Sequence, residues 1–110
     1  MTDIERIARN YVAAANAHDT AGCERMFAWG AEYVSTGVGL HQGRAAIGQM
    51  MASFFGRFAD VHWHTHGWRR IGPDGVAFDF HMTGNGLDRR GVESIWFDRR
   101  GLFRRVEVEG

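Results

Sequence analysis

Polar side chains that could exchange protons with a bound molecule lie on two stretches of predicted strand. Asp79, His81 and Thr83 alternate along one stretch, and Glu93 lies on the next one. Because side chains alternate across a strand, Asp79 and His81 share a face, about 7 Å apart, and Glu93 can approach either of them. If these positions face inward, the side chains form either a catalytic acid–base group or a buried network in which they satisfy one another. A one-residue error in strand parity would turn them outward instead.

Three imidazoles, those of His62, His64 and His66, occupy alternate positions of an earlier stretch. Imidazole is a common ligand of transition metals. The outer two rings would lie about 13 Å apart on a strand, which is too far for one ion. Two of the rings could bind an ion only together with a ligand from another strand, and we predict no metal site. We expect these imidazoles at an interface between subunits, where their protonation at about pH 6 would loosen the association.

The charge balance argues against a nucleic acid or an anionic membrane as the main partner. All 13 basic residues are Arg, the acidic residues also number 13, and the formal net charge is zero. The one cysteine, Cys23, excludes an internal disulfide and is expected to be a small buried side chain. The N-terminus lacks the pattern of a signal peptide, and no apolar run is long enough to span a bilayer. We expect one domain, residues 1–110, in the cytoplasm.

Helical periodicity dominates the first half of the chain. Thr2 and Glu5 form a capping box that opens the first helix, and Asp19 caps the second, shorter one. The third helix carries a wide stripe of Met and Phe, which fits either a core or the flexible wall of an apolar ligand site. The predicted bounds are 2–17, 20–29 and 44–58 for the helices, 32–36 for a short strand and 37–43 for a loop.

Four long strands are predicted in the second half. Period-two alternation and turn signals place them at about 60–71, 75–84, 91–98 and 101–109. The second and third are joined by a loop from Asn85-Gly86 to Gly91. Such short connections require antiparallel neighbours. Helices followed by strands predict an α+β domain, in which one antiparallel sheet folds over three helices and can enclose a pocket.

The alternation also assigns side chains to the outer face of this sheet. Aromatic rings and imidazoles are expected there: His62, His64, His66, Trp68, Phe78, Phe80 and Trp96. Such a patch would be large for the exposed surface of a monomer. We therefore expect a homodimer through the outer sheet face, with a different protein partner as the alternative.

Several short motifs follow one another in an informative order. They are Tyr11, His18-Asp19, Phe27-Ala28, the loop-to-helix segment 41–47, and Phe97-Asp98 with Gly101. Together with the order of elements, they resemble the nuclear transport factor two-like superfamily, and within it the SnoaL-like polyketide cyclases and ketosteroid isomerases. The resemblance covers nearly the whole chain. It implies a cone-shaped α+β barrel, in which a curved antiparallel sheet wraps around the three helices and encloses an apolar pocket. Members of the family are commonly homodimers through the outer sheet face.

The resemblance also implies roles for individual residues. The isomerases carry an anion-stabilising Tyr on the first helix, where this chain has Tyr11, and a protonated acid on the penultimate strand, where it has Glu93. Their general-base Asp aligns with Ser35, which cannot act as that base at neutral pH. Related epoxide hydrolases and cyclases use a charged pair on an inner strand, which Asp79 and His81 resemble, although the Arg of those hydrolases is missing.

We predict a pocket for a small, mostly apolar, carbonyl-bearing molecule and proton-transfer chemistry such as isomerisation, dehydration or cyclisation, without a cofactor. His81 would be the general base or acid, oriented by Asp79. Glu93 would donate as a neutral acid, and Tyr11 would stabilise a developing oxyanion. The alternative is a binding module without catalysis. The expected ligand contacts are Ser35, Met50, Phe54, Phe58, Val61, Trp63, Thr83, Ile95 and Val106.

Overall fold

Three helices and six strands form the computed structural model, which describes residues 3–110. In chain order they are α1 Asp3–Asn16, α2 Thr20–Glu24, β1 Phe27–Ser35, β2 Gly39–Gln42, α3 Arg44–Arg57, β3 His62–Ile71, β4 Gly75–Gly84, β5 Leu87–Phe97 and β6 Phe103–Glu109. The predicted α+β class is confirmed. Asp19 caps α2 by accepting a hydrogen bond from the Gly22 amide, whereas Thr2, the predicted cap of α1, lies outside the described residues.

One sheet contains all the strands of residues 3–110, in the order β2-β1-β6-β5-β4-β3. It curves around the helices without closing. The neighbours from β3 to β6 are antiparallel, as their short connections predict. The prediction of a wholly antiparallel sheet is wrong at one place, since β1 runs parallel to β6. These two strands are far apart in sequence, so no short turn dictates their relative direction.

Three strands, β1, β2 and β5, begin earlier than predicted or lie where a loop was predicted. β1 begins at Phe27, so that Gly30 lies within a strand rather than at a helix end. The predicted loop 37–43 contains β2, which pairs with β1. Asn85 and Gly86 both have positive φ, 53° and 82°, which suits a two-residue hairpin turn and lets β5 start at Leu87.

The core lies between the helices and the inner face of the sheet. Ala8, Tyr11 and Ala15 recur at helical spacing and are the buried side chains of α1. Cys23 is fully buried, as predicted, and burial raises the pKa of its thiol to about 12. No helix within residues 3–110 is both long and apolar enough to cross a membrane.

The end of α1 is fastened to the start of β3. The Asn16 side chain donates to the Trp63 carbonyl and accepts from the Trp63 amide, at 3.0 and 2.7 Å. Two residues later the His18 imidazole lies 2.9 Å from the Val61 carbonyl and stacks on Phe55 of α3. These contacts fix the angle at which the sheet edge meets α1 and α3.

A bulge in β3 changes which of its side chains face inward. The pairing with β4 shifts between His66 and Arg69, and Gly67 has a φ of 65°. Trp68 therefore points inward and stacks on Phe78, with ring centroids 4.3 Å apart. The prediction of Trp68 on the outer face is wrong because it assumed unbroken alternation through Gly67.

Strand β4 presents the opposite faces from those predicted. Phe78, Phe80 and Met82 are buried on the inner face. Asp79, His81 and Thr83 consequently lie on the outer face. Burying the three large apolar side chains is favourable by roughly 2 kcal/mol each, which decides the orientation of the strand. The side chains of Phe78 and Phe80 therefore do not lie on the outer face, where they were predicted.

The register between β4 and β5 explains why Glu93 nevertheless faces inward. Phe78, not Asp79, lies directly opposite Glu93. Opposite residues in an antiparallel pair share a face of the sheet. The predicted grouping of Glu93 with Asp79 and His81 is therefore wrong.

Candidate functional site

A cavity of about 500 Å³ lies between the inner face of the sheet and the helices α1 and α3. This volume suits a small organic molecule. Its walls are mainly apolar and aromatic. Among the side chains that line it are Val12, Met50, Met51, Phe54, Phe58, Trp63, Phe78, Phe80, Met82 and Leu87.

Five of the predicted ligand contacts line this cavity, namely Ser35, Met50, Phe54, Phe58 and Trp63. The other four need correction. Val61, Ile95 and Val106 are packed into the core and do not reach the cavity. They face inward, but other parts of the chain cover them. A side chain that faces inward therefore need not contact a ligand in the cavity. Thr83 lies on the outer face with the rest of its alternating set.

Glu93 is the buried acid of the cavity. Its side chain lines the cavity, the residue is 5 % exposed, and Oε2 has no hydrogen-bond partner within residues 3–110. Burial raises the pKa of this carboxyl group to about 8. At neutral pH the group is therefore mostly protonated and can donate a hydrogen bond to an acceptor oxygen.

Two tyrosines line the same cavity as Glu93. Tyr11 of α1 is held between Phe27 and Phe103 by edge-to-face contacts, with ring centroids 5.7 and 5.1 Å away. Tyr33 of β1 was missed by the sequence reasoning, although it lies two residues before Ser35 and alternation gives both the same face. Burial, and then the negative charge that Glu93 can carry, raise the pKa of both phenols well above the usual range. Both phenols therefore remain hydrogen-bond donors at neutral pH.

The ends of β1 and β2 beside the turn that joins them contribute Ser35 and His41 to the cavity. Ser35 Oγ accepts hydrogen bonds from the amides of Gly37 and Val38, at 3.0 and 3.4 Å, and so shapes the turn. His41 Nε2 lies 2.9 Å from the Val38 carbonyl oxygen. Because a carbonyl oxygen only accepts, Nε2 carries a hydrogen, and in the neutral ring Nδ1 holds the basic lone pair. His41 had been singled out only as part of the 41–47 motif.

Asp79 and His81 lie on the outer face, across the sheet from the cavity. Asp79 Oδ1 lies 3.2 Å from Arg69 Nη1, and His81 Nε2 contacts the carboxylate of Asp88. Neither side chain lines the cavity. The predicted roles of His81 as base and Asp79 as its orienter therefore lack the geometry that they require.

The imidazoles of the outer face lie close together without forming a metal site. The rings of His62 and His64 are 4.6 Å apart, and those of His64 and His81 6.2 Å apart. In the part of the chain that the structure describes, no group of three or more His, Cys, Asp or Glu side chains could hold a metal ion.

The family model of the SnoaL-like domain matches residues 8–106. The chain belongs to this family. No curated protein sequence matches it significantly. The resemblance inferred from the motifs is thereby confirmed at the level of the family.

Solved structures show the same fold. A SnoaL-like protein of unknown function from Burkholderia thailandensis is 20% identical with a TM-score of 0.84, covering 98% of this chain and 96% of its own. An epoxide hydrolase/cyclase-like enzyme of pyran ring formation in the polyether salinomycin is 19% identical with a TM-score of 0.85, covering 96% and 88%. A candidate polyketide cyclase from Sinorhizobium meliloti is 21% identical with a TM-score of 0.82, covering 98% and 94%. At these identities the similarity establishes the fold alone.

Proposed function

We propose that this SnoaL-like domain binds a small, mostly apolar carbonyl compound in the cavity and acts on it by proton transfer, without a cofactor. The observation that carries the proposal is the buried carboxyl group of Glu93, whose Oε2 lacks a partner among the described residues. A buried polar atom without a partner costs free energy unless a ligand or an ordered water molecule satisfies it. The carbonyl oxygen of a ligand would accept from this group.

The surrounding residues support a division of roles. Glu93, Tyr11 and Tyr33 are donors for an oxygen that becomes negative as a proton leaves the neighbouring carbon, and such hydrogen bonds strengthen with the developing charge. In a compound whose deprotonated carbon adjoins a C=C bond, His41 Nδ1 takes this proton as general base and returns it to the far carbon of that bond, which shifts the double bond and isomerises the compound. Returning the proton to a leaving hydroxyl group instead gives dehydration.

The names of the structural relatives agree with chemistry on oxygen-containing carbon skeletons. One is described as epoxide hydrolase/cyclase-like and another as a candidate polyketide cyclase. Because this fold hosts unrelated activities, the proposal depends on the residues of this cavity rather than on these names.

Hydrogen–deuterium exchange provides the test. 2-Tetralone, a bicyclic apolar ketone, loses its C1 protons to a base and can be followed by NMR in D₂O. We expect the protein to accelerate exchange, and both His41→Gln and Glu93→Gln to slow it by about 100-fold or more. His62→Gln, on the outer face, is the matched control and should exchange like wild type. Exchange at the buffer rate with the wild-type protein would contradict catalysis.

One observation favours a binding module without catalysis as the second candidate. Ser35 occupies the position of the isomerase base, and its hydroxyl oxygen is engaged in the β1–β2 turn. Saturable binding of 2-tetralone without exchange would support this alternative.

We also propose that two copies associate through the outer sheet face and that the protein works in the cytoplasm. The side chains available on that face differ from the predicted set, since they include His62, His64, His66 and Trp96 but not Trp68, Phe78 or Phe80. An association there would therefore be more polar than the sequence suggested.

A further inference from the structure

Among the ionisable side chains that line the cavity, those that can be positive outnumber those that can be negative. Among residues 3–110, the lining includes the guanidinium groups of Arg57 and Arg89, and its acidic side chain is Glu93. Burial keeps that carboxyl group mostly neutral at neutral pH. His41 also lines the cavity and can add positive charge but not negative charge. The walls are therefore positive around an apolar interior.

Arg89 lies where β5 approaches the β1–β2 turn. It is exposed, and its Nη2 donates to the main-chain oxygen of Gly110. Its Nη1 lies so close to Gly37 that an added Cβ there would come within 2.9 Å of it. Thr36, Gly37 and Gly110 also line the cavity, so this guanidinium lies at the rim. Its remaining N–H groups are not bonded to a carboxylate of the described chain.

Arg57 also lines the cavity, from the last turn of α3. Its guanidinium carbon is 5.2 Å from the centre of the Phe58 ring, another lining residue. No ion pair joins it to an acidic side chain in the described part of the chain. Since Arg57 and Arg89 are both exposed while Glu93 is buried, positive charge lies at the solvent end and a neutral donor at the inner end.

We propose that the ligand is an amphipathic acid: an apolar skeleton with a carboxylate that is attracted to the exposed, positively charged end of the cavity formed by Arg57 and Arg89, and a carbonyl or hydroxyl oxygen that reaches Glu93. This inference rests on the proposed function of the cavity and names its substrate class. A guanidinium group binds a carboxylate through parallel hydrogen bonds, which fix the orientation of the bound molecule as well as adding affinity. An amine of the same skeleton would be repelled by both arginines.

The carboxylate would also determine which carbon reacts. With the acidic end fixed at the rim, the opposite end is the one that enters the inner part of the cavity. A fixed orientation of this kind lowers the entropic cost of bringing the reacting carbon to the base. We therefore expect oxo acids and hydroxy acids to be better substrates than neutral ketones of equal size.

Three probes that share one ring system test the charge preference: 2-naphthoate, 2-naphthalenemethanol and 2-naphthylmethylamine. Their affinities are measured by calorimetry at pH 7 in low and high salt, with wild type and with Arg89→Gln, Arg57→Gln and Arg99→Gln. Arg99, in the β5–β6 turn, is exposed and does not line the cavity, so it is the matched control. Circular dichroism checks that each variant is folded.

We expect 2-naphthoate to bind about tenfold more tightly than the alcohol at low salt, and the amine to bind most weakly. High salt should reduce the preference. Arg89→Gln and Arg57→Gln should each lower the affinity for the acid by about fivefold and leave that for the alcohol nearly unchanged, while Arg99→Gln changes neither.

The outcomes separate this inference from the proposed function. Similar affinities for all three probes, or a preference for the acid that survives both arginine replacements, would overturn the amphipathic-acid assignment and leave the cavity as a binding site. If Arg89→Gln does not fold, the result with Arg57→Gln decides. Failure of every probe to bind would contradict the small-molecule site itself, and the present inference with it.

Discussion

Glu93 is buried at a cost that an apolar side chain of similar size would not have. Its carboxyl group is neutral in the folded protein at pH values where it is ionised in the unfolded chain. The folded state therefore binds this proton more tightly than the unfolded state does. This tighter proton binding contributes its full stabilisation of the folded state below pH 4.5. The contribution is lost progressively as the pH rises through about 8.

Stability measurements at several pH values can isolate this contribution. A pKa raised from 4.5 to about 8 corresponds to a loss of roughly 5 kcal/mol in the free energy of unfolding across that range, at ~1.4 kcal/mol per pKa unit. Glu93→Gln, which cannot ionise, should lack this loss and be more stable than wild type at pH 8. Urea unfolding at pH 5, 6.5 and 8 measures both proteins. Parallel pH profiles would show that the carboxyl group is not neutral in the native cavity.

Tyr33 and His41 show which site residues were accessible to sequence reasoning. Tyr33 follows from Ser35 by alternation along one strand, so its place in the cavity could have been predicted. His41 could not, because 37–43 was predicted as a loop and a loop gives no alternation from which to infer a direction. The pairing of His41 with Tyr33 across β1 and β2 exists only in the folded sheet.

At the level of elements, the bulge of β3 turns Trp68 onto the inner face of the sheet, beside Phe78. Gly67 adopts a φ of 65°, and a Cβ at this position would approach Asp79 Oδ2 to 2.4 Å. Gly72 has nearly the same φ, 66°, but an added Cβ there meets nothing within 4 Å. A comparison of the two glycines therefore separates the free-energy cost of a positive φ from the cost of a collision with Asp79.

Alanine replacements at these glycines should differ in their effect on stability. Gly72→Ala is expected to lower the free energy of unfolding by about 1 kcal/mol, the cost of a positive φ for a residue with a side chain. Gly67→Ala is expected to cost about 3 kcal/mol, because it adds the collision with Asp79 and opposes the turn of Trp68 into the core. Urea unfolding gives both values, and near-UV circular dichroism reports the packing of Trp68. Equal costs would mean that the carboxylate moves aside freely.

Strand β4 illustrates the limit of alternation. The residues of β4 divide into two sets, and the division was predicted correctly. Which set faces inward was not, since polar groups were assigned to the pocket ahead of Phe78, Phe80 and Met82. On β4, the burial of three large apolar side chains outweighs any benefit of placing Asp79 and His81 in the cavity.

For the molecule as a whole, the outer sheet face remains the expected surface of association between two copies. Imidazoles of His62 and His64 lie there beside His81, which contacts Asp88, and His66, whose Nε2 is 4.0 Å from Asp79. His62 and His64 have no carboxylate beside them in the described residues, so their protonation would place unbalanced positive charge in the contact.

Light scattering after gel filtration tests both the association and its pH dependence. We expect about twice the monomer mass of 12.4 kDa at pH 8, and a shift toward the monomer at pH 5 if positive charge on these imidazoles opposes the contact. Replacing His62 and His64 together by Asn should abolish the shift. A monomer at pH 8 would rule out the homodimer, and an unchanged dimer at the lower pH would rule out the role of the imidazoles.

The sequence by itself determined the α+β class and the antiparallel order of the four long strands, and the order of its motifs indicated the SnoaL-like family. These follow from patterns within single elements and from short turns, which act over a few residues. The tertiary structure alone decided the inner face of β4, the direction of β1 against β6, and which inward side chains border a cavity rather than a packed core. Those outcomes depend on strand register and on the total apolar surface buried, which are properties of elements that meet only after the chain has folded.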